Sequence, residues 1–358
     1  MIALALLATA VTSQAQNYPL RIYNGNNQTG TNSGCWRDRT YEGNEIPGGL
    51  NNKINSMKLL KHYGVVIGNN NDGVWGSRFY ATFGQDRVIN LSNSFKNKVS
   101  FIRVVKMEKW VQKKGYAGND TALGKAVGAD WFYNWASGSS HRDGMEYIPM
   151  KWGPGNSTNI VTFAEDMQEK QSVQLLTFNE PDNSSQSNIS VSTALDRYKV
   201  LLSSGLRMGT PACEQDNYAT WLDDFMDGAY DRGYRIDFIA LHWYDWGNQN
   251  NNSNGNTIKN RMSAKVLNAR NLLGNDMAIW MTEFNANRNR LDQDDHADFI
   301  ESAIGYINGQ SWWERYSYFQ AGGGTFGSSS SLTTSGKAYR DAPNAGGSPG
   351  EVNNRGWQ

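Results

Sequence analysis

The strongest constraint on this chain is an alternation that runs from residue 122 to residue 343. Short apolar runs of strand type alternate there with stretches of helical period. Helices are expected over residues 157–171, 190–202, 218–233, 258–273 and 292–309, and strands begin near Leu175, Leu206, Ile236, Ala278 and Arg315. Strands alternating with helices imply a parallel sheet covered by helices, and the length fits an eight-unit (β/α)8 TIM barrel. An open, doubly wound sheet is the alternative. No glycine-rich phosphate loop opens any of these helices, which counts against it.

In barrels, functional side chains stand where strands give way to loops. The run Leu175-Leu176-Thr177-Phe178 breaks into Asn179-Glu180-Pro181, and Pro181 is expected to hold Glu180 extended and to end regular pairing. A second apolar run, Ile279-Trp280-Met281-Thr282, meets Glu283. Either glutamate alone would read as a loop cap or an arginine partner. Together they are the two carboxyl groups that glycoside hydrolysis requires.

The rest of the composition fits that chemistry. The 358 residues allow about two domains, and Lys+Arg equals Asp+Glu at 34 each. With no basic run, neither nucleic acid nor an anionic membrane is expected as a partner. The chain carries 37 Gly, 13 Trp and 17 Tyr with abundant Asn, which suits a polysaccharide partner: flat rings stack on sugar faces while amides bond their rims. A monomer is expected. Residues 1–15 are apolar and end in Ser13-Gln14-Ala15, as a secretory signal does, although no basic residue precedes them. That stretch is too short to span a bilayer, so a secreted, periplasmic or cell-surface protein is expected. Cys35 and Cys213 are the two cysteines; they fall in different domains, and no disulfide is indicated.

Residues 16–106 read as all-β, with short alternating strands, Gly/Asn turns and no helical period. The segment also repeats. An Asn-Lys turn followed by a strand occurs in residues 50–59 and again in residues 95–104, which suggests paired Greek keys packed as a sandwich. Tyr23 with Gly30, and Trp75-Gly76, stand where the aromatic hairpins of a βγ-crystallin domain would fall, and the segment resembles that family. The resemblance implies calcium signatures at residues 51–56 and 96–101. Asn55 replaces the expected hydroxyl in the first, and Lys96 opens the second, so a structural calcium ion is poorly provided for. Residues 107–121 read as a linker, residues 322–331 as a surface loop and residues 344–358 as a disordered tail.

The segment from 122 to 343 resembles the catalytic core of glycoside hydrolase family 128, endo-β-1,3-glucanases of the large clan of retaining barrels. Motifs in order carry the resemblance: Trp131-Phe132-Tyr133-Asn134-Trp135 as opening strand, Ile148-Pro149-Met150-Lys151-Trp152-Gly153, Phe178-Asn179-Glu180-Pro181, Leu241-His242-Trp243-Tyr244, Trp280-Met281-Thr282-Glu283-Phe284 and Tyr316-Ser317-Tyr318-Phe319. It implies Glu180 as general acid/base, Glu283 as the nucleophile that forms a covalent glycosyl-enzyme, and a β-1,3-glucan as substrate. Asn179 would bond the sugar 2-hydroxyl. His242 and Tyr244 share a strand face toward the cleft, and Trp135, Trp152 and Trp246 are candidate stacking platforms. A loop cap for Asn179, a core role for His242 and core packing for each Trp are the competing readings. No cofactor is implied for catalysis. The amide-rich residues 246–256 depart from the family, leaving open a hydrolase of another polysaccharide, including a sulfated algal one, or a non-catalytic carbohydrate-binding protein.

Overall fold

The computed structural model describes residues 17–346, apart from residues 38, 83, 108–111, 140–141, 170–172, 216, 247–253, 288–289, 291 and 321–324. The expected signal segment and residues 347–358 of the expected tail lie outside the described residues, as does most of the amide-rich loop.

The N-terminal part has eight strands: β1 (Leu20–Tyr23), β2 (Asn32–Cys35), β3 (Arg39–Glu42), β4 (Ser56–Leu59), β5 (Tyr63–Gly68), β6 (Ser77–Thr82), β7 (Arg87–Asn90) and β8 (Phe101–Lys106). They form two antiparallel sheets, ordered β2-β1-β4-β7 and β3-β8-β5-β6. Each sheet takes three strands from one half of the repeat and its third-in-order strand from the other half. This exchange buries Ile22, Met57, Val65, Ile67, Ile102 and Val104 in one core between the sheets. Neither calcium signature has a carboxylate, and the Asn51 and Asn52 side-chain oxygens already accept from Ser100 Oγ at 2.7 and 3.3 Å. These residues do not fit a calcium ion, which favours anionic oxygen ligands.

The α/β unit contains β9 (Lys114–Ala117), β10 (Trp131–Tyr133), β11 (Glu146–Tyr147), β12 (Gln174–Leu175), β13 (Arg207–Met208), β14 (Ile239–Tyr244), β15 (Ile279–Asn285) and β16 (Trp313–Phe319). All are parallel. The order β11-β10-β9-β16-β15-β14 makes one sheet and β12-β13 another. Isolated parallel bridges, Met150 to Leu176 and Gly209 to Phe238, stand at the two junctions between them. Helices α1 (Thr121–Ala126), α2 (Ser157–Glu169), α3 (Val191–Leu202), α4 (Trp221–Asp231), α5 (Gly255–Leu273), α6 (Gln293–Asn308) and α7 (Thr334–Asp341) follow every strand except β10 among the described residues. Residues of β14 and β15 are buried on both faces, because helices cover one side and Trp131, Phe238 and Trp280 fill the other.

Two boundaries differ from expectation. Residues 107–121 are not a linker, since they contain β9, which pairs with both β10 and β16. The Trp131 strand is therefore the second of the unit, not its opening strand. Lysines hid β9 from a hydropathy reading. Lys113 Nζ bonds the carbonyls of Ile307 and Gln310 at 3.1 and 2.8 Å, and Lys114 Nζ those of Tyr339 and Ala342 at 2.7 and 2.6 Å. Both ammonium groups thus add a donor to carbonyls at the C-terminal ends of α6 and α7, where a positive charge is favoured. Burial lowers each of these pKa values to about 8. The tail, too, begins in place: Asn344 Oδ1 accepts from the Lys114 amide at 3.2 Å, and Gly346 bridges Gln112. In the expected loop at residues 322–331, a small hairpin pairs Gly327–Ser328 with Ser331–Leu332.

The sandwich sits against the end of the α/β unit where strands begin. Outward-facing Val66, Phe79, Phe101 and Val105 pack with Met107 and with Val173, the residue before β12. Gly205, two residues before β13, has φ +65, and a Cβ there would stand 2.7 Å from Arg103 Cδ and 2.9 Å from Phe101 Cζ. Trp75 meets Tyr234 edge-on at 6.0 Å. Cys35 and Cys213 are both buried free thiols.

Candidate active site

The opposite end of the strands carries the candidate site. Glu180 follows β12, the fourth strand of the unit, and Glu283 lies in β15, the seventh. Pro181 does not hold Glu180 extended: its φ is +41, in the left-handed region. Proline disfavours only the right-handed helical basin of the residue before it. The Glu180 amide donates to Ala212 at 2.8 Å, and its carbonyl accepts from Asn183 at 3.1 Å, which fix the turn. A non-glycine residue in that region costs about 1–3 kcal/mol and persists only where its surroundings fix it. Trp135 shares the feature, with φ +59.

One oxygen of each glutamate and one nitrogen of His242 lie within 4.8 Å of one another. His242 Nδ1 is 2.9 Å from Glu180 Oε1, and its Nε2 is 3.6 Å from Glu283 Oε1. Three donors converge on Glu283: Tyr133 Oη and Trp135 Nε1 reach Oε1, each at 3.0 Å, and Tyr244 Oη reaches Oε2. Such a set fixes the direction of the carboxylate. Burial and the facing Glu283 charge push the Tyr133 and Tyr244 hydroxyls well above the usual tyrosine range, so both remain donors. The His242 side chain is fully buried; burial lowers its pKa, but Glu283 and Glu180 together raise it above the ordinary value.

A cleft of about 410 Å³ opens over this group, lined by Trp135, Trp152, Asn179, Glu180, Asn183, Gln186, Glu214, Tyr244, Trp246, Glu283 and Phe319. Seven of the eight residues singled out from sequence reach it. His242 does not; it stands behind the carboxylates, so it is placed to act on them and not to stack on or bond a sugar. Trp135 is tied to Glu283 by its indole N–H as well as facing the cleft. Trp152 and Trp246 are more than a third exposed, and Trp246 leans on Tyr244 with centroids 5.5 Å apart. Asn179 donates to Gln186 at 3.2 Å, while its buried Oδ1 meets no donor among the described residues. Sequence reasoning passed over Tyr133, Asn183, Gln186 and Glu214. Tyr133 was readable, since it lies two residues before Trp135 on a strand; Glu214 had no signal beyond following Cys213 past a strand end.

Paired carboxylates at strand ends, with aromatic walls and a neutral amide rim, define a glycosidase-type cleft. Similarity says the same. The family described as glycosyl hydrolase catalytic core matches residues 110–339, and this chain belongs to it. An endo-β-1,3-glucanase of glycoside hydrolase family 128, subgroup I, from Amycolatopsis mediterranei, solved with laminaritriose, is 33% identical. That match covers 64% of this chain and 99% of the relative, with a TM-score of 0.54. A subgroup III curdlan-specific exo-β-1,3-glucanase from Blastomyces gilchristii, solved with glucose, is 29% identical over 64% of this chain and 97% of its own, with a TM-score of 0.52. Alkali-sensitive linkage protein 1 of Schizosaccharomyces pombe is 28% identical over 222 residues, which are 59% of this chain and 37% of that protein.

Proposed function

We propose that this protein is a secreted, retaining endo-glycoside hydrolase that cleaves β-1,3-glucan. The observation that carries the reading is the short separation of Glu180 and Glu283, with three donors fixed on Glu283. Their oxygens lie within 4.8 Å of one another. Retaining enzymes hold the two carboxyl groups about 5–5.5 Å apart, whereas inverting ones need roughly 6.5–9.5 Å to admit a water.

In the first step a Glu283 oxygen attacks the anomeric carbon, the glycosidic C–O bond breaks, and the proton on Glu180 passes to the leaving oxygen. In the second, Glu180 takes a proton from water, whose oxygen displaces Glu283 and regenerates the carboxylate. Asn179 is offered for the sugar 2-hydroxyl, and Trp152 and Trp246 for stacking. The glucanase activity of the Amycolatopsis relative supports a β-1,3-glucan. The cleft supports a neutral chain in particular: its lining holds Glu180, Glu214 and Glu283 and no Lys or Arg among the described residues, a poor setting for sulfate groups.

The eight parallel strands are read as a closed (β/α)8 barrel, supported by the two junction bridges. The exchanged third strands support a βγ-crystallin-like reading of the N-terminal sandwich, without calcium. Export rests on residues 1–15, and a monomer is proposed with it. The test is incubation with laminarin, curdlan, agar, carrageenan and fucan, following product sizes and the anomer first released by proton NMR. Laminari-oligosaccharides appearing first as the β-anomer are expected; α-anomers would overturn retention, and release only from a sulfated galactan or fucan would overturn the substrate.

A further inference from the structure

A third carboxylate stands in the cleft beside the acid. Asn179 and Ala212 are bridged in parallel, so the loops after β12 and β13 leave the sheet side by side. Glu214 follows Ala212 by two residues and lines the same cleft as Glu180 and Glu283. Its position is set by three contacts between those loops. The Glu214 amide donates to Asp182 Oδ1 at 3.0 Å, Asn183 Nδ2 donates to Glu214 Oε2 at 3.0 Å, and Asn217 Nδ2 donates to Asp182 Oδ2 at 2.5 Å. A carboxylate that only capped a loop would not need this scaffold on both sides, nor a place on the cleft wall.

We propose that Glu214 is a specificity residue: it accepts hydroxyls of a neutral sugar and repels anionic ones. The inference rests on the reading of this cleft as the glycosidase site. The titratable groups facing Glu180 are His242 and Tyr244 from β14, Glu283 from β15, Tyr133 from β10, and Cys213 and Glu214 from the loop after β13, with Asp182 on its own loop. His242 is the single cationic candidate in that set. Burial first, then Glu180 and Asp182, raise the Glu214 pKa above the usual carboxylate value. An acceptor that rejects negative charge without contributing to bond cleavage adds discrimination at little cost to the reaction with a neutral chain.

The experiment compares full-length wild type, Glu214→Gln, Glu214→Asp and Glu283→Gln on laminarin and on carboxymethylated laminarin of matched length, across pH. Wild type is expected to prefer the neutral chain. Glu214→Gln is expected to narrow that preference in kcat/KM by about tenfold, the factor that roughly 1.4 kcal/mol of like-charge repulsion represents. Glu214→Asp, which keeps the charge, is expected to keep most of the preference. An unchanged preference in Glu214→Gln overturns the proposal, as does equal loss in both Glu214 variants. Glu283→Gln at full activity would sink the catalytic reading itself, whereas an inactive Glu283→Gln beside an indifferent Glu214→Gln removes only the role of Glu214.

Discussion

His242 stands between the two carboxylates, with Nδ1 at 2.9 Å from Glu180 Oε1 and Nε2 at 3.6 Å from Glu283 Oε1. A buried imidazole in that position is held by charge and not by packing alone. Both carboxylates favour the protonated imidazole, against a burial that opposes it.

That balance predicts a pH signature in stability. The folded-state pKa of His242 is raised, so its contribution is fully present below the unfolded value of about 6.5 and is lost as pH rises through the raised value. The Tm advantage of wild type over His242→Gln should therefore be largest below pH of about 6.5 and shrink above it. A difference that grows with pH would contradict the sign. Loss of alignment should also cost His242→Gln on the order of a hundredfold in kcat/KM.

Tyr244→Phe removes one of the three donors on Glu283 while keeping the ring against Trp246. A fall of roughly a hundredfold in kcat with little change in KM is expected, the usual cost of losing one preorganised donor. A change confined to KM would make Tyr244 a sugar contact instead.

Trp152→Ala tests the exposed wall. Trp152 is 39% exposed and lines the cleft, so its loss should barely move Tm. Stacking of about 1 kcal/mol predicts a KM for laminari-oligosaccharides raised roughly fivefold at nearly unchanged kcat. Equal KM in the two proteins would remove it from the substrate path.

Gly205→Leu probes the junction at the other end. Left-handed backbone and a Cβ at 2.7 Å from Arg103 together predict a loss of about 3 kcal/mol. Gly84 also has positive φ, +71, but open space around it, so Gly84→Ala should cost only about 1 kcal/mol. Thermal or urea unfolding of both variants checks the difference, and kcat well below the Tm should match wild type in each.

Five helices were legible because they present an apolar stripe at helical spacing: residues 157–171, 190–202, 218–233, 258–273 and 292–309 fall within about three residues of α2, α3, α4, α5 and α6, whereas the short α1 and α7 were not expected. The two glutamates were legible because an apolar strand ending in a carboxylate is uncommon. What stayed hidden depended on partners distant in sequence. Lys113 and Lys114 look like solvent residues until the ends of α6 and α7 come to meet them. Phe101 and Val105 alternate with Ile102 and Val104 as any half-buried strand would, and nothing local says that their outer face is covered too. The left-handed Glu180 was hidden for a similar reason, because its turn is fixed by Ala212, which is distant in sequence.

The sandwich rests where the parallel strands begin, and the carboxylates lie where they end. Two histories of change can therefore proceed without colliding. Adaptation to heat has Val66, Phe101, Val173 and Gly205 to work on, whereas adaptation to a new diet has Trp152, Glu214 and Trp246, and the two sets share no residue. A laboratory lineage bred first for endurance and then for a new glucan should carry both sets of substitutions with nearly additive effects.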